Sequence, residues 1–166
     1  MENGINGVVI TISDRCAQGI REDKSGPLAV ERLAEFNVSC PPPIVVTDDI
    51  PNIQAAIRAA LDDGARFIFT TGGTGVTPRD HTPEATKPFL ETELPGIAEQ
   101  IRAYGLQKTP LAGLSRALVG ISGRGSEGAL IVNAPGSTGG VKDSIAVVGP
   151  LIEHVLSQLV GSDHGA

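Results

Sequence analysis

Apolar residues follow two rhythms along this chain. Short runs rich in β-branched residues, Gly7 to Ser13, Ile44 to Val46, Phe67 to Thr70, Ala117 to Ile121 and Ala129 to Asn133, predict buried strands. Between them, apolar positions recur at helical spacing. Leu28, Val30, Leu33 and Ala34 follow Pro27; Ile53, Ala56, Ile57, Ala60 and Leu61 follow Pro51 and stop at Gly64. Ile97, Ala98 and Ile101 share a face within Gly96 to Tyr104, and Val141, Ile145, Val148, Ile152, Val155, Leu156 and Leu159 predict a last helix, bent at Pro150. Thr82-Pro83-Glu84 reads as an N-cap, a first-turn proline and an acid matched to the helix dipole, so a short helix follows. The polar stretch after Ser13 up to Gly26 predicts a loop, and Pro41 to Pro43 mark Ile44 to Val46 as an edge strand.

This alternation predicts an α/β fold: a three-layer α/β/α sandwich with a mostly parallel central sheet, one domain over residues 1–160, and a loose tail at 161–166. Ligands of such sheets sit at the carboxyl ends of the strands. The exits at Ser13-Asp14, Thr71 to Gly75 and Pro135-Gly136 should therefore face one crevice.

Composition narrows the picture. At 166 residues with 40 % apolar content the chain can bury a core; aromatics are 3 % with no Trp, so that core is built of Val, Ile, Leu and Ala. Thirteen Lys and Arg against nineteen Asp and Glu leave a net charge of −6, which argues against nucleic acid as a partner. An anionic ligand would have to be held by backbone dipoles, a few placed cations or a metal. No apolar stretch approaches the ~20 residues of a membrane span, and the first residues carry no basic segment, so a cytoplasmic protein without a membrane partner is expected. Cys16 and Cys40 are too few for a disulfide framework or a zinc site and read as half-buried thiols.

The candidate chemistry lies in Thr70-Thr71-Gly72-Gly73-Thr74-Gly75-Val76-Thr77-Pro78-Arg79-Asp80. A strand emptying into a glycine-rich turn aims several N–H groups at one point and lets a phosphate reach the main chain. The same glycines would also suit a plain tight turn, and each Asp could be a solvated cap. The convergence favours chemistry: Asp14 follows the first strand, Asp48 and Asp49 the second, and Asp80 the third. Carboxylates around an anion repel it unless a divalent cation such as Mg²⁺ bridges the two.

Other patterns carry less. Gly123 to Gly128 spells G-x-G-x-x-G, but a strand follows it instead of a helix, so it reads as a hairpin-like turn. No P-loop occurs, and Gly113-Leu114-Ser115-Arg116-Ala117 misses the nucleophile elbow at its last residue. His81 sits beside the candidate site, whereas His154 and His164 read as structural or solvated.

Thr70 to Ala85 resembles the signature of the MogA/MoaB molybdenum-cofactor biosynthesis family. Ile12 to Arg15, Asp23 to Gly26, Glu93 to Gly96, Leu114 to Arg116 and Pro135-Gly136 resemble its other motifs in the same order. Thr138 departs from the family, many of whose members have a second proline there. The resemblance implies a trimeric molybdopterin-binding fold and a transfer of AMP from Mg²⁺–ATP to the molybdopterin phosphate, with a molybdenum-insertion protein as partner. It also implies that Asp80 and Asp48 are essential and hold the metal, with Asp49 as the alternative to Asp48; strand register favours Asp48. Ser13, Asp14, Thr71, Gly72, Gly73, Thr74, Gly75, Ser115, Pro135 and Gly136 would then line the substrate pocket. A non-catalytic molybdopterin-binding or delivery protein is the alternative, and a phosphate-ester enzyme on a flavodoxin-like fold a third.

Overall fold

The computed structural model of the chain describes residues 4–162. β1 (Ile5–Ile12) lies inside the sheet. On one side it pairs in parallel with two short strands set end to end, β2 (Val38–Ser39) and β3 (Ile44–Val46), and on the other with β4 (Phe67–Thr71). The three prolines between β2 and β3 cannot donate to a ladder, so the edge strand is broken there. Parallel β7 (Leu130–Ala134) follows β4, and antiparallel β6 (Val119–Ile121) and β5 (Thr92–Glu93) complete a seven-stranded sheet.

Period-two alternation decides which side chain enters which layer. Val9, Phe67, Phe69, Leu130 and Val132 point to one face. They pack there against α2 (Ser25–Ala34), α5 (Pro95–Leu106), α6 (Thr138–Val148) and α7 (Ile152–Leu159). Val8, Ile10, Ile68 and Ile131 point to the other, against α3 (Ile50–Asp62) and α4 (Thr82–Thr86). Phe67 and Phe69 are fully buried, and burying such a side chain stabilises the fold by about 1.5–3 kcal/mol. The fold is therefore the expected α/β/α sandwich, and four parallel strands end on one side of the molecule.

Several expectations need correction. The stretch after Ser13 is not all loop: Ser13 caps α1 (Asp14–Ala17) by accepting the Cys16 N–H, and α2 begins at Ser25, ahead of Pro27. β2 and β5 are two residues each, too short to show a period. The last helix begins at Thr138, inside the expected glycine turn, while its interruption falls at Pro150 as expected, in a 3₁₀ turn over Gly149–Leu151 where a Cβ on Gly149 would lie 2.5 Å from the Phe36 ring. Thr82 is not the N-cap of α4, since His81 holds that position and the Thr82 hydroxyl donates instead to the Gly72 carbonyl at 2.8 Å. Most of the expected tail, and His164 with it, falls outside the described residues. The Gly123 to Gly128 stretch is the connection of the β6–β7 hairpin, as its sequence context indicated.

A buried polar chain joins the core to the glycine turn. The Asn133 amide donates to the hydroxyls of Thr70 (2.9 Å) and Thr86 (3.0 Å), and its oxygen accepts the Leu118 N–H at 3.1 Å. The Thr86 hydroxyl donates to the Thr82 carbonyl at 2.7 Å, and Thr82 in turn holds Gly72. Asn133, Thr70, Thr82 and Thr86 are each fully buried, so removing one partner strands another. Asn133→Ala should lower unfolding free energy by about 2–4 kcal/mol in urea titration, and a loss below about 1 kcal/mol would contradict this role for the chain of bonds.

Candidate active site

The crevice at the strand ends is built from four exits. β1 delivers Ser13 and Asp14, β3 delivers Asp48, β4 delivers the glycine turn, and β7 delivers Pro135 and Gly136. The turn passes through a gap that admits no side chain. A Cβ on Gly72 would lie 2.1 Å from the Ile12 carbonyl oxygen, and one on Gly73 would lie 2.3 Å from the Thr82 hydroxyl. Both residues adopt positive φ, +109° and +69°. On the β7 side, the Thr71 hydroxyl donates to the Pro135 carbonyl, which ties the two glycine turns together, and the Ser25 hydroxyl of α2 donates to the Gly136 carbonyl.

Two cavities meet at these turns. The first, of about 760 Å³, is lined by Ser13, Asp14, Asp48, Thr71, Gly72 and Thr77 among others. The second, of about 530 Å³, is lined by Thr74, Gly75, Ser115 and Pro135 together with Ile101, Leu111, Ala112 and Leu114. Gly73, Asp80, Gly136 and Ser137 line both. Ser13, Asp14, Asp48, Thr71 to Gly75, Asp80, Ser115, Pro135 and Gly136, all named from the sequence, lie on one cavity or the other, whereas Asp49 lies on neither. His81 lines neither of them.

The acids are differentiated by their partners. Asp48 is buried, and the Gly73 Cβ position lies 3.2 Å from its Oδ1. Asp14 and Asp48 exchange bonds: the Asp14 N–H donates to Asp48 Oδ2 at 2.9 Å, and the Asp48 N–H to Asp14 Oδ1 at 3.0 Å. Arg79 grips Asp14 through two bonds of 3.0 Å and reaches Asp49 at 3.1 Å. Asp49 also accepts the Thr47 hydroxyl and lines neither cavity. Asp48, the acid favoured from the sequence, faces the glycine turn, and Asp49 faces Arg79. Asp80 accepts the Thr77 N–H at 2.9 Å, and its Oδ2 lies 2.9 Å from the Gly75 Cβ position.

Burial, helped by the charges of Asp14 and Asp80, pushes the Asp48 carboxyl above the usual carboxylate range, against the pull of the Asp14 N–H. The Asp14 carboxyl is held below that range, chiefly by its bonds to Arg79. Among the described residues no group of three or more His, Cys, Asp and Glu side chains could hold a metal ion alone. Asp48 and Asp80, both hard oxygen donors beside the glycine turn, suit Mg²⁺ in its usual manner, with one or two carboxylates and the rest of the shell from water and phosphate.

Sequence reasoning missed the cations. Arg15, Arg21, Lys24 and Arg79 all line the first cavity, interleaved with Asp14, Glu22, Asp23, Asp48 and Asp80, so placed cations stand within reach of an anion that enters there. The cue was present in Asp23 to Gly26: Asp23 accepts the Thr11 hydroxyl and the Gly26 N–H, which folds Lys24 toward the crevice rim. The first turn of α6, capped by Ser137 on the Gly140 N–H, adds helix N–H groups at the same place.

The chain resembles known proteins along most of its length. Residues 8–154 match the family described as a probable molybdopterin binding domain. A molybdopterin adenylyltransferase from Pyrococcus furiosus is 40 % identical over 150 residues, covering 89 % of this chain and 87 % of that protein. A molybdenum cofactor biosynthesis bifunctional protein from Synechococcus elongatus is 40 % identical over 162 residues, covering 98 % of this chain. This chain spans 50 % of the length of that bifunctional relative, and 49 % of a second from Chlorobaculum tepidum. The crystal structure of a molybdopterin biosynthesis protein from Mycobacterium abscessus superposes with a TM-score of 0.86 at 42 % identity, covering 95 % of this chain and 97 % of that one.

Because Asp48 releases its proton less readily in the folded chain than in the unfolded one, it favours the native state most in acid and withdraws that stability as pH rises through its elevated pKa. Asp48→Asn keeps an oxygen to accept the Asp14 N–H and removes the charge. The variant should melt above the unsubstituted protein at pH 7, with the gap closing below pH ~4. A variant that melts lower at pH 7 would show that the ionised acid is well solvated or well paired.

Proposed function

The chain belongs to the molybdopterin-binding family, and from that premise we propose that it is a molybdopterin adenylyltransferase. On this reading an oxygen of the molybdopterin phosphate attacks the α-phosphorus of ATP. A new P–O bond forms, the bond between the α-phosphorus and the bridging oxygen breaks, and pyrophosphate leaves with the electron pair. The observation that carries the reading is the pair of cavities sharing Gly73, Asp80 and Gly136, which would bring two substrates together at one glycine turn. The phosphate nucleophile is already anionic, so the reaction needs positioning and charge neutralisation more than a protein nucleophile.

Each group then has a task. Backbone N–H groups of the glycine turn and of the α6 first turn orient the phosphate oxygens, and Arg15, Arg21 and Lys24 draw the polyphosphate into the first cavity. The apolar walls of the second cavity, Ile101, Leu111 and Leu114, suit a flat heterocycle. Asp48 and Asp80 would hold Mg²⁺, which when bound offsets negative charge on the transferring phosphate. The reading also places the protein in the cytoplasm as a homotrimer that passes its product to a molybdenum-insertion protein. No helix among the described residues is long and apolar enough to cross a membrane.

Purified protein given molybdopterin and Mg²⁺–ATP should form adenylylated molybdopterin and pyrophosphate, and Asp80→Asn should slow this by about 10²–10³-fold. Product formation that survives the substitution would defeat the mechanism. Calorimetry separates the alternative: tight molybdopterin binding with no ATP affinity at millimolar Mg²⁺ would make the protein a carrier.

A further inference from the structure

Arg116 lies between the 3₁₀ turn over Pro110–Leu114 and β6, beside the second cavity, and none of the chemistry above uses it. Its guanidinium spreads over three acceptors. Nε donates to the Gly75 carbonyl at 2.7 Å, Nη2 to the Asp80 carbonyl at 3.0 Å, and Nη1 to both oxygens of Glu84 at 2.7 and 3.0 Å. The Arg116 N–H donates to the Thr74 carbonyl at 2.8 Å. One residue therefore bridges both ends of the Gly75 to Asp80 excursion and ties it to the first turn of α4.

The excursion has few other anchors. Its internal bonds, Asp80 N–H to the Thr77 carbonyl and Thr77 N–H to the Asp80 carboxylate, would move with it as a unit. Its own Arg79 reaches the opposite way, to Asp14 and Asp49. The loop thus hangs between two guanidinium groups, and Asp80, whose carboxylate rests against the Gly75 backbone, faces both cavities from that span.

We propose that Arg116 is a positioning residue for Asp80: its three-way fork fixes the Gly75 and Asp80 carbonyls, and thereby the place of the Asp80 carboxylate at the junction of the two cavities. The proposal rests on the transferase reading for its kinetic consequence but not for its structural one. Magnitudes favour position over stability. Arg116 and Glu84 are each more than one-third exposed, and such ion pairs stabilise folds little, whereas a displacement of about 1 Å at a reacting centre can cost about 10²-fold in rate. Lysine cannot replace the fork, because an ammonium on a flexible stem cannot span acceptors on two elements in fixed geometry.

The test compares Arg116→Lys and Arg116→Gln with the unsubstituted protein by steady-state AMP transfer, thermal melting and amide hydrogen exchange. The expected result is a kcat lowered by about 10–100-fold, with KM for ATP and molybdopterin changed less than about twofold. Exchange at residues 75–80 should quicken while β4 and β7 keep their protection. Wild-type kcat in folded variants, or unchanged exchange at 75–80, overturns the proposal. If the unsubstituted protein makes no product, the transferase reading fails, and the exchange comparison alone still decides the role of Arg116. Should both variants fail to fold, Glu84→Gln decides instead. It removes the carboxylate that orients the guanidinium, and it should lower kcat and loosen residues 75–80 in the same direction to a smaller extent; no change in either overturns the proposal.

Discussion

The glycine turn after β4 is suspended from hydrogen bonds made inside the core, and the arrangement of the crevice depends on them. Asn133 on β7 holds Thr70 on β4 and Thr86 on α4; Thr86 holds the Thr82 carbonyl, and the Thr82 hydroxyl holds the Gly72 carbonyl. Each bond alone contributes about 1 kcal/mol net, yet each group is fully buried, so an unmade bond costs more than a made one gains. That asymmetry gives the turn essentially one place to go. It is pressed against the end of β1, where the Ile12 carbonyl leaves no room for a Cβ on Gly72. Packing of the sheet, through β7 and α4, is thereby translated into the position of the backbone that a phosphate would meet.

Charge is arranged on that frame by unequal sharing. Arg79 and the Asp48 N–H draw Asp14 toward its ionised form, while burial resists ionisation of Asp48 beside it. The buried acid faces the glycine turn, and the well-solvated Asp49 is left to Arg79. An anion entering the first cavity would meet four basic side chains and two helix starts set among five carboxylates, so the placement of each group decides where it could sit. Net charge governs what the whole surface attracts; a crevice is governed by the few groups that line it.

Much of this was legible in the sequence, and the failures have physical causes. The central strands β1, β4 and β7 are buried on both faces, so they appear as unbroken apolar runs, and the glycine turns after β4 and β7 point to the carboxyl ends. β2 and β5 escaped because two residues carry no period. Thr82 was misread as a cap because an N-cap and a buried tertiary donor use the same hydroxyl, and the tertiary partner Gly72 is ten residues away. Arg15, Arg21 and Lys24 escaped because Glu22 and Asp23 stand among them, so the segment shows no basic run. Arg116 was hidden for another reason: its partners Gly75, Asp80 and Glu84 lie more than thirty residues earlier, and only folding brings them together.

The central claim is that one glycine turn, flanked by Asp48 and Asp80, is where two substrates meet. A crystal structure of the protein soaked with adenylylated molybdopterin and Mg²⁺ tests it most directly. The account predicts the phosphates lying across Gly73 to Gly75 and Gly136, the two ring systems in separate cavities, and the ion between Asp48 and Asp80. Phosphates bound away from the turn, or an ion coordinated by Asp49 in place of Asp48, would contradict it.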